Sequence, residues 1–410
     1  MLNILSEAKK IEDEIINLRR KIHMYPELGF EETKTSELVY SYLKDIGLEV
    51  KRIAKTGVVG LLKGNGDRTI AIRADMDALP IQEENDIDYA SKIPGKMHAC
   101  GHDVHTAILL GTAKLLSNMK DELKGNVKFI FQPAEETTGG ALPMIEEGVL
   151  KDPDVDGIIG LHVDPGIEAG EIGITYGKAY ASSDMFDITV KGKSGHGAEP
   201  HKAVDAIVIA GNIINALQTV VSRNINPFEP VVITIGSIKG GNARNIIADK
   251  VDMSGIIRMF DETKRDETVS KIKHLAENIV EAMGGSIEFS WIQGYPCLIN
   301  DEKMIEVVKS SASSILRDTN IKNIMPTLGV EDFAYFTKYV PGCYYRLGCG
   351  NKEKGIDKPI HSNKFNIDEK CILIGMAVHV MTAINFLNEV KSECKHERIL
   401  KKLFNYSDSL

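Results

Sequence analysis

The 410-residue sequence lacks an excess of basic residues, a disulfide framework and a long uninterrupted apolar segment. Its 49 lysines and arginines are outnumbered by 58 aspartates and glutamates, which gives a net charge of −9. Because binding to a phosphate backbone depends on clustered cations, this balance argues against a nucleic-acid partner. Hydrophobic residues make up 43% and charged residues 26%, so we expect an ordered globular protein rather than a disordered one.

The sequence also has little that would direct it to a membrane or out of the cell. Its N-terminal segment is charged and amphipathic, with neither an apolar h-region nor a small-residue cleavage site. The most apolar late segment, residues 371–387, includes His379, Thr382 and Asn385, which predicts a buried helix rather than a membrane span. The six scattered cysteines, among them Cys394, are then reduced thiols of a cytoplasmic protein.

The length of the chain and a change in the predicted order of its helices and strands predict two domains. Residues 1–182 alternate helices with short apolar strands, which is typical of a mostly parallel sheet covered by helices. From about Ser183 the order becomes β-α-β-β-α-β, the ferredoxin-like split unit. We therefore predict an α/β fold in which an α+β domain, residues 183–295, is inserted into a discontinuous domain of residues 1–182 and 296–410. Periodicity places helices near residues 4–23, 32–46, 103–119, 139–148, 203–221, 263–283, 301–317 and 368–388.

Side chains that can bind a metal fall where the predicted strands end. The stretch "GKMHACGHDVHTA", residues 95–107, places three histidines and one cysteine at the start of a helix. Glu135 and Glu136 follow the strand "NVKFIFQ", His162 ends "GIIGLHV", and His361 lies after "CYYRLG". Because the ligand crevice of an open α/β sheet lies at the carboxyl ends of its strands, we expect these side chains to converge.

Taken one at a time, these residues have ordinary explanations. A lone cysteine is most often a small buried residue, and a lone histidine is most often a hydrogen-bonded core residue. Their joint occurrence with paired carboxylates at strand ends favours a metal site instead. His98, His105 and His201 keep the ordinary interpretation.

The number of candidate ligands predicts two metal ions, because one catalytic zinc normally uses three protein ligands. The mixture of thiolate, imidazole and carboxylate suits Zn, Mn, Co or Ni rather than Ca or Mg. The five candidates are Cys100, His102, Glu136, His162 and His361.

The carboxylates beside these ligands suggest further roles. Glu135 and Glu136 are adjacent and can point in different directions, so that one binds metal while Glu135 acts as general base on a metal-bound water. An exposed acidic loop is the alternative. Asp75 and Asp77 either orient a ligand histidine or cap a strand, and the sequence leaves both possibilities open.

Several further segments occur in a familiar order. They are "RRKIHMYPELGFEETKT", "RADMDALP", "MHACGHDVHTA", "FQPAEE", "GLHVDP", "GHGAEPH", "GGNARNIIAD", "TLGVEDFAYF" and "PIHSNKF". In these segments, which span about residues 19–380, the chain resembles the N-acyl-amino-acid amidohydrolases. This metallopeptidase-like family includes aminoacylases, hippurate hydrolases and indole-acetyl-amino-acid hydrolases. The sequence departs from the family at Ala248, where proline is usual, and at Ile256, where threonine is common.

The resemblance implies a dinuclear metal-dependent amidohydrolase whose inserted domain acts as a lid and commonly mediates dimerisation. It carries the metal-ligand role onto the five residues above and the general-base role onto Glu135. It also implies that His196 lies near the substrate, often donated by the partner subunit, and that Asn245 and Arg258 bind the substrate carboxylate or oxyanion. Taken alone, the glycines beside His196 suit a turn, and Arg258 could be a surface residue.

The expected activity is therefore hydrolysis of N-acyl-L-amino acids to a carboxylic acid and a free amino acid, in a homodimer or higher homo-oligomer. One alternative keeps the metal site but cleaves dipeptides or deacetylates an N-acetyl-diaminopimelate. Another is a non-catalytic metal-binding protein on the same fold. Glu135 argues against the latter, because a structural zinc site needs no spare carboxylate.

Overall fold

A computed structural model of the chain describes residues 4–389. The helices are α1 (Ile4–Met24), α2 (Thr33–Asp45), α3 (His102–Ser117), α4 (Ala141–Glu146), α5 (Ala206–Asn224), α6 (Arg265–Ala282), α7 (Glu302–Ser313), α8 (Ala334–Thr337) and α9 (Lys370–Asn388). The strands are β1 (Glu49–Ile53), β2 (Gly57–Leu62), β3 (Thr69–Asp75), β4 (Asn126–Gln132), β5 (Gly157–Glu168), β6 (Ile172–Ile174), β7 (Gly177–Tyr180), β8 (Ser182–Lys191), β9 (Gly195–His196), β10 (Val231–Gly240), β11 (Ile246–Ile247), β12 (Lys250–Met259), β13 (Ser286–Gln293), β14 (Leu298–Asn300), β15 (Ile321–Asn323) and β16 (Gly342–Gly350).

The larger sheet has eight strands in the order β1-β2-β4-β3-β5-β16-β6-β15. Its central strands β4, β3, β5 and β16 are parallel. The pairs β1–β2, β2–β4 and β6–β16 are antiparallel, and β15 is parallel to β6. Strand β3 is buried along its whole length because helices or loops cover both of its faces. Because the central strands are parallel, their carboxyl ends lie at the same edge of the sheet.

Helices α1, α3 and α9 pack against one another beside this sheet and form much of its core. Glycine at position 111 allows the close approach, since a Cβ there would lie 2.2 Å from Met376 Sδ and 3.0 Å from Ile15 Cγ1. The predicted buried helix over residues 371–387 is confirmed as α9. Its Asn385 donates a hydrogen bond to Ser311 Oγ of α7 at 2.9 Å. By length and composition α5 and α9 could each cross a membrane, but two thirds of the most apolar part of α9 is buried in the protein.

Residues 182–293 form a separate four-stranded antiparallel sheet in the order β10-β12-β8-β13, with α5 and α6 packed on one face. The chain order β8-α5-β10-β12-α6-β13 is the predicted ferredoxin-like unit. Alternate residues of β8 and β12 are buried, which is the pattern of a sheet with one covered face.

All eight helices predicted from periodicity are present, with ends that agree to within four residues. The elements that the sequence analysis missed are short: β1, β6, β7, β9, β11, β14, β15 and α8. Segments of two to five residues are too short to show a period, and tertiary contacts fix them instead. The five cysteines in the described part of the chain are free, and Cys394 lies outside it.

A buried ion pair closes the base of the smaller sheet, where the chain enters and leaves it. Arg265 donates to Asp184 Oδ2 at 2.7 Å and to the carbonyl oxygens of Ser183 and Gly294, both at 2.8 Å. Asp184 also accepts from Trp291 Nε1 at 2.9 Å. The pair therefore fixes the segment by which the chain enters the smaller sheet, at Ser183, to the segment by which it leaves, at Gly294.

We predict that Asp184→Ala lowers the free energy of unfolding by about 3–5 kcal/mol, because Arg265 is left buried without its carboxylate. Urea unfolding followed by Trp291 fluorescence measures this directly, since the chain contains 1 tryptophan. The control is Lys191→Ala, which breaks an exposed ion pair with Glu288 on β8 and β13 and should cost less than about 1 kcal/mol. Equal, small effects of both substitutions would contradict the prediction.

Candidate metal site

The turn before α3 packs directly on the middle of β5, which continues to Glu168, so the prediction that His162 ends this strand is wrong. Gly101 has φ +88°, and a Cβ there would lie 2.4 Å from Val163 Cγ2, so the turn requires glycine. This close approach brings Cys100 Sγ to 3.3 Å from His162 Nε2. His162 donates its Nδ1 proton to the Val163 carbonyl at 2.7 Å, which leaves Nε2 with a free lone pair.

Asp77 fixes both the histidine and the glutamates of the predicted site. Its Oδ1 accepts from His102 Nδ1 at 3.1 Å and from the Glu135 amide at 3.1 Å, and its Oδ2 accepts from the Glu136 amide at 2.9 Å. Asp77 therefore orients a candidate ligand, which decides between the two roles that the sequence left open. Because Nδ1 is held by Asp77, Nε2 is the nitrogen that His102 would offer to a metal after losing its proton.

The fifth candidate ligand comes from the loop that follows β16. His361 has φ +63°, and its amide donates to the Ala99 carbonyl at 2.8 Å, beside Cys100. Its Nε2 lies 3.1 Å from Glu136 Oε1. Left-handed backbone is costly for a residue with a side chain and is found where the surroundings enforce it, often at functional sites.

The five candidate ligands fit divalent metal ions. Ligand atoms of Cys100, His102 and His162 lie within 4.8 Å of one another, as do those of Cys100, Glu136 and His361, so Cys100 belongs to both groups. His102 Nε2 is buried without a hydrogen-bond partner and lies 3.9 Å from Glu136 Oε1. Ligands about 2.0–2.3 Å from a shared ion have separations of this order, and an ion would satisfy the buried His102 nitrogen.

Burial and neighbouring charge control protonation in this cluster. Burial lowers the pKa of His162 to about 3, so this ligand is neutral. Burial also acts to lower the pKa of His102, but Asp75 and Asp77 outweigh it and raise that pKa to about 10. Burial, followed by the charge of Glu136, raises the pKa of Cys100 well above its usual value. The thiol form of Cys100 is therefore favoured in the protein without a metal.

Glu135 lies at the edge of the cluster rather than within the two groups that contain Cys100. Its carbonyl oxygen accepts from Tyr295 OH at 2.9 Å. Burial, and next the carboxylate of Glu331, raise the pKa of Glu135 well above its usual value. Glu135, Glu331 and Asp332 each place an oxygen within 4.8 Å of the others.

Glu331 and Asp332 lie in "TLGVEDFAYF", one of the segments that carry the family resemblance, but no role was predicted for them. Arg73, fully buried on β3, donates to Asp75 Oδ2 at 2.6 Å and to Asp332 Oδ1 at 2.8 Å. The Arg73 guanidinium also lies 3.1 Å from Glu331 Oε1. An acidic pair inside the apolar stretch "GVEDFAYF" was the available signal, because buried carboxylates need partners.

The cluster opens into a cavity of about 910 Å³. One side is lined by the metal-site residues, and another by residues 292–295 at the base of the smaller sheet. Tyr180 and Arg346 line it as well, and Arg346 pairs with Asp164 at 2.7 Å. The volume and the mixed lining suit a small organic molecule.

The structure does not bring the remaining predicted residues to this cavity. His196 is exposed on β9, where its Nδ1 accepts from the Ala198 amide at 3.1 Å. Asn245 is exposed beside it, and its backbone carbonyl oxygen accepts from the Gly197 amide at 2.8 Å. Arg258 does not line the cavity, but its Nη1 donates to the hydroxyl of Ser183, which does, at 3.2 Å.

The three histidines that kept the ordinary interpretation, His98, His105 and His201, have different surroundings. His105 donates to Asp75 Oδ1 at 2.6 Å and accepts from the Val163 amide at 3.0 Å, so both ring nitrogens are occupied. His98 is buried, and burial lowers its pKa to about 3. His201 is exposed.

Parallel strands that end at a buried cluster of thiol, imidazole and carboxylate groups, beside a cavity, define a metal-dependent hydrolase. Residues 71–385 match the model of peptidase family M20/M25/M40, and the chain belongs to this family.

Similar proteins agree with this placement. The chain is 46% identical to an N-acyl-L-amino acid amidohydrolase of Geobacillus stearothermophilus over 301 residues, covering 72% of this chain and 81% of the relative. It is 38% identical to an N-acetylcysteine deacetylase of Bacillus subtilis, covering 93% and 99%. A dinuclear metal-binding peptidase of the M20 family from Bacillus subtilis matches the fold with a TM-score of 0.82 and 34% identity, covering 93% and 100%. The resemblance seen in the sequence is thereby confirmed.

We predict that zinc binding to the metal-free protein releases protons and that zinc affinity rises with pH. The raised pKa values keep Cys100 and His102 protonated at pH 7, whereas a metal ligand must be deprotonated. Cys100→Ala should release about one proton fewer per protein than the wild type. Calorimetry in buffers of different ionisation enthalpy measures the number, and equal release by both proteins would show that Cys100 is not a ligand.

Proposed function

We propose that this protein hydrolyses the amide bond of N-acyl-L-amino acids and releases a carboxylic acid and a free amino acid. The observation that carries the proposal is the pair Glu135 and Glu136. Glu136 points into the group of candidate ligands, while the adjacent Glu135 lies beside it on the wall of the same cavity. A structural metal site would need no second carboxylate there.

Two divalent ions per subunit, Zn, Mn, Co or Ni, would be held by Cys100, His102, Glu136, His162 and His361. Such ions polarise a carbonyl group and make water more acidic. Cys100 is common to both groups of ligand atoms, which supports a shared ligand between the two positions.

Glu135 is the proposed general base and acid. It accepts a proton from the attacking water as the new C–O bond forms, and it delivers that proton to the amide nitrogen as the C–N bond breaks. Burial, and next Glu331, raise its pKa, and a carboxylate with a raised pKa takes up a proton more readily. The Tyr295 hydroxyl fixes the backbone at Glu135, so the carboxylate acts from a defined position.

Substrate recognition is proposed to involve the inserted domain, residues 183–295, acting as a lid over the catalytic domain of residues 1–182 and 296–410. Arg258 is the proposed partner of the substrate carboxylate, because it stands behind Ser183 at the cavity wall. His196 and Asn245 are exposed, and in the proposed homodimer they would reach the partner's cavity.

The smaller sheet supports a dimer through its free edge. Strand β10 pairs only with β12, so its other side is open within the described chain. Ile238 on β10 is 53% exposed, and Ile246, which pairs with His196, is 48% exposed. An interface that covers this edge would place His196 at the subunit boundary, in a cytoplasmic assembly.

A peptidase activity is the second candidate, because the chain is 41% identical to a thermostable carboxypeptidase of Saccharolobus solfataricus over 390 residues, covering 94% of this chain and 98% of the relative. Peptides and N-acyl amino acids share the amide bond and the terminal carboxylate, so the same residues could serve both. An N-acetyl-diaminopimelate is a further substrate of this kind.

A substrate panel tests the proposed function. N-acetyl, N-benzoyl and N-fatty-acyl amino acids, dipeptides and the α-amides of the same N-acyl amino acids are assayed for release of free amine, after loading with each of the four metals. We expect hydrolysis of N-acyl amino acids and poor hydrolysis of their amides, since Arg258 would lose its partner. Faster cleavage of dipeptides would favour the peptidase, and the absence of any hydrolysis would overturn both.

We predict that Glu135→Gln and Glu136→Gln fail for different reasons. Glu135→Gln should retain both metal ions and lose turnover by about a hundredfold or more, the usual contribution of a positioned base. Glu136→Gln should lose metal as well, because it removes a charged ligand. Metal analysis and kcat are measured on both proteins, and a metal-loaded Glu135→Gln enzyme with near-normal turnover would reject the assignment.

We predict that two inactive variants complement each other across the dimer. In a mixed dimer of His196→Ala and Glu135→Gln subunits, one cavity combines an intact Glu135 with the partner's intact His196. Activity should therefore appear when the two proteins are mixed and allowed to exchange subunits. An inactive mixture with exchange demonstrated by mass spectrometry would show that His196 does not act between subunits.

A further inference from the structure

The turn that carries Glu135 and Glu136 is held by two buried carboxylates from different parts of the chain. Asp77 accepts the amides of Glu135 and Glu136. The preceding amide, that of Ala134, donates to Glu32 Oε1 at 2.8 Å. Three consecutive backbone N–H groups are thus fixed by side chains, and Glu32 supplies the first of these contacts.

Ala134 needs such a contact because its backbone lies in the left-handed region, with φ +56°. This conformation is unfavourable for a residue with a Cβ and persists where the surroundings enforce it. The loop before Glu32 also packs tightly on the turn. A Cβ at Gly29 would lie 2.4 Å from Thr137 Oγ1 and 3.0 Å from Ala134 Cα.

Glu32 is not engaged in capping the helix that it precedes. It stands at the N-terminus of α2, but its side chain makes no hydrogen bond to that helix. The capping contacts come from Glu27, which accepts from the amides of Lys34 and Thr35 at 3.0 and 2.9 Å. The Glu32 carboxylate is fully buried, and its other oxygen accepts from Thr56 Oγ1 at 2.6 Å. Its side chain therefore contacts the turn at Ala134 and one neighbouring hydroxyl.

We propose that Glu32 is a positioning residue for the metal site, because its carboxylate holds the turn from which Glu136 reaches the metal and Glu135 reaches the substrate. Its effect on metal binding follows from the geometry alone, whereas its effect on turnover rests on the proposed function. The contribution is one of reach, since the side chain must extend from the start of α2 to the Ala134 amide, 2.8 Å from Oε1.

Two conservative variants separate reach from charge. Glu32→Gln keeps the length of the side chain and an oxygen for the Ala134 amide, and its amide group can donate to Thr56 Oγ1. Glu32→Asp keeps the charge but is one methylene shorter, so it withdraws from Ala134. Positioning predicts that Gln is close to wild type and Asp is impaired, while a role for charge predicts the reverse.

The measured quantities are zinc affinity, obtained by titrating Zn²⁺ into metal-free protein against a chelating dye, and kcat and KM for an N-acetyl amino acid. For Glu32→Asp we expect zinc affinity and kcat to fall by roughly 10- to 100-fold, as for other residues that orient metal ligands, with little change in KM. For Glu32→Gln we expect both quantities to remain close to wild type. Full zinc affinity and kcat in Glu32→Asp, or equal losses in Asp and Gln, would overturn the proposal.

Glu27→Ala is the matched control, since it removes a carboxylate from the same helix terminus without touching the turn. Urea unfolding should show that it destabilises the protein, while zinc affinity and kcat stay at wild-type values. Losses equal to those of Glu32→Asp would show that loosening α2 is sufficient, and would overturn the positioning role. If the wild type hydrolyses no substrate, the proposed function fails, and the comparison of zinc affinities still decides the role of Glu32.

Discussion

The carboxylate of Asp77 joins the segments on which the metal site depends. It lies just beyond β3, accepts from His102 at the start of α3, and accepts from the amides of Glu135 and Glu136 beyond β4. A buried carboxylate without these donors would be strongly unfavourable, so the positions of β3, α3 and the turn are coupled. The candidate ligands are therefore placed by the same hydrogen bonds that complete the fold at this edge of the sheet.

Negative charge is concentrated around that carboxylate. Asp75, Asp77, Glu136, Glu331 and Asp332 lie within the same buried region, where Arg73 compensates part of the charge. Burial, and after it the neighbouring carboxylates, raise the pKa values of the Cys100 thiol and the Glu135 carboxyl. Divalent cations bound by thiolate, imidazole and carboxylate would compensate the negative charge, which gives an electrostatic reason for a metal at this site.

The sequence was sufficient to predict that six candidate residues lie together, because parallel strands end at one edge and side chains near several strand ends meet there. It could not locate Glu32 or Asp332 in the same way. Arg73 and Asp332 are 259 positions apart, and the contact of Glu32 with Ala134 spans 102. No local period connects such pairs. His196 illustrates a different limit, since its exposed position becomes meaningful only if a second subunit covers it.

Two residues with strained backbone and one unsatisfied buried nitrogen lie at the site, while much of the apolar packing lies elsewhere. Ala134 and His361 have left-handed backbones, each costing about 1–3 kcal/mol, and His102 Nε2 is buried without a hydrogen bond. The closely packed helices α1, α3 and α9 offset these costs because they bury apolar surface in the core of the larger domain. A ligand that binds only the folded state adds stability in proportion to the logarithm of its concentration over its Kd. Since the candidate ligands come from four separate segments and converge only in the folded chain, a bound metal would stabilise the arrangement that the backbone strain opposes.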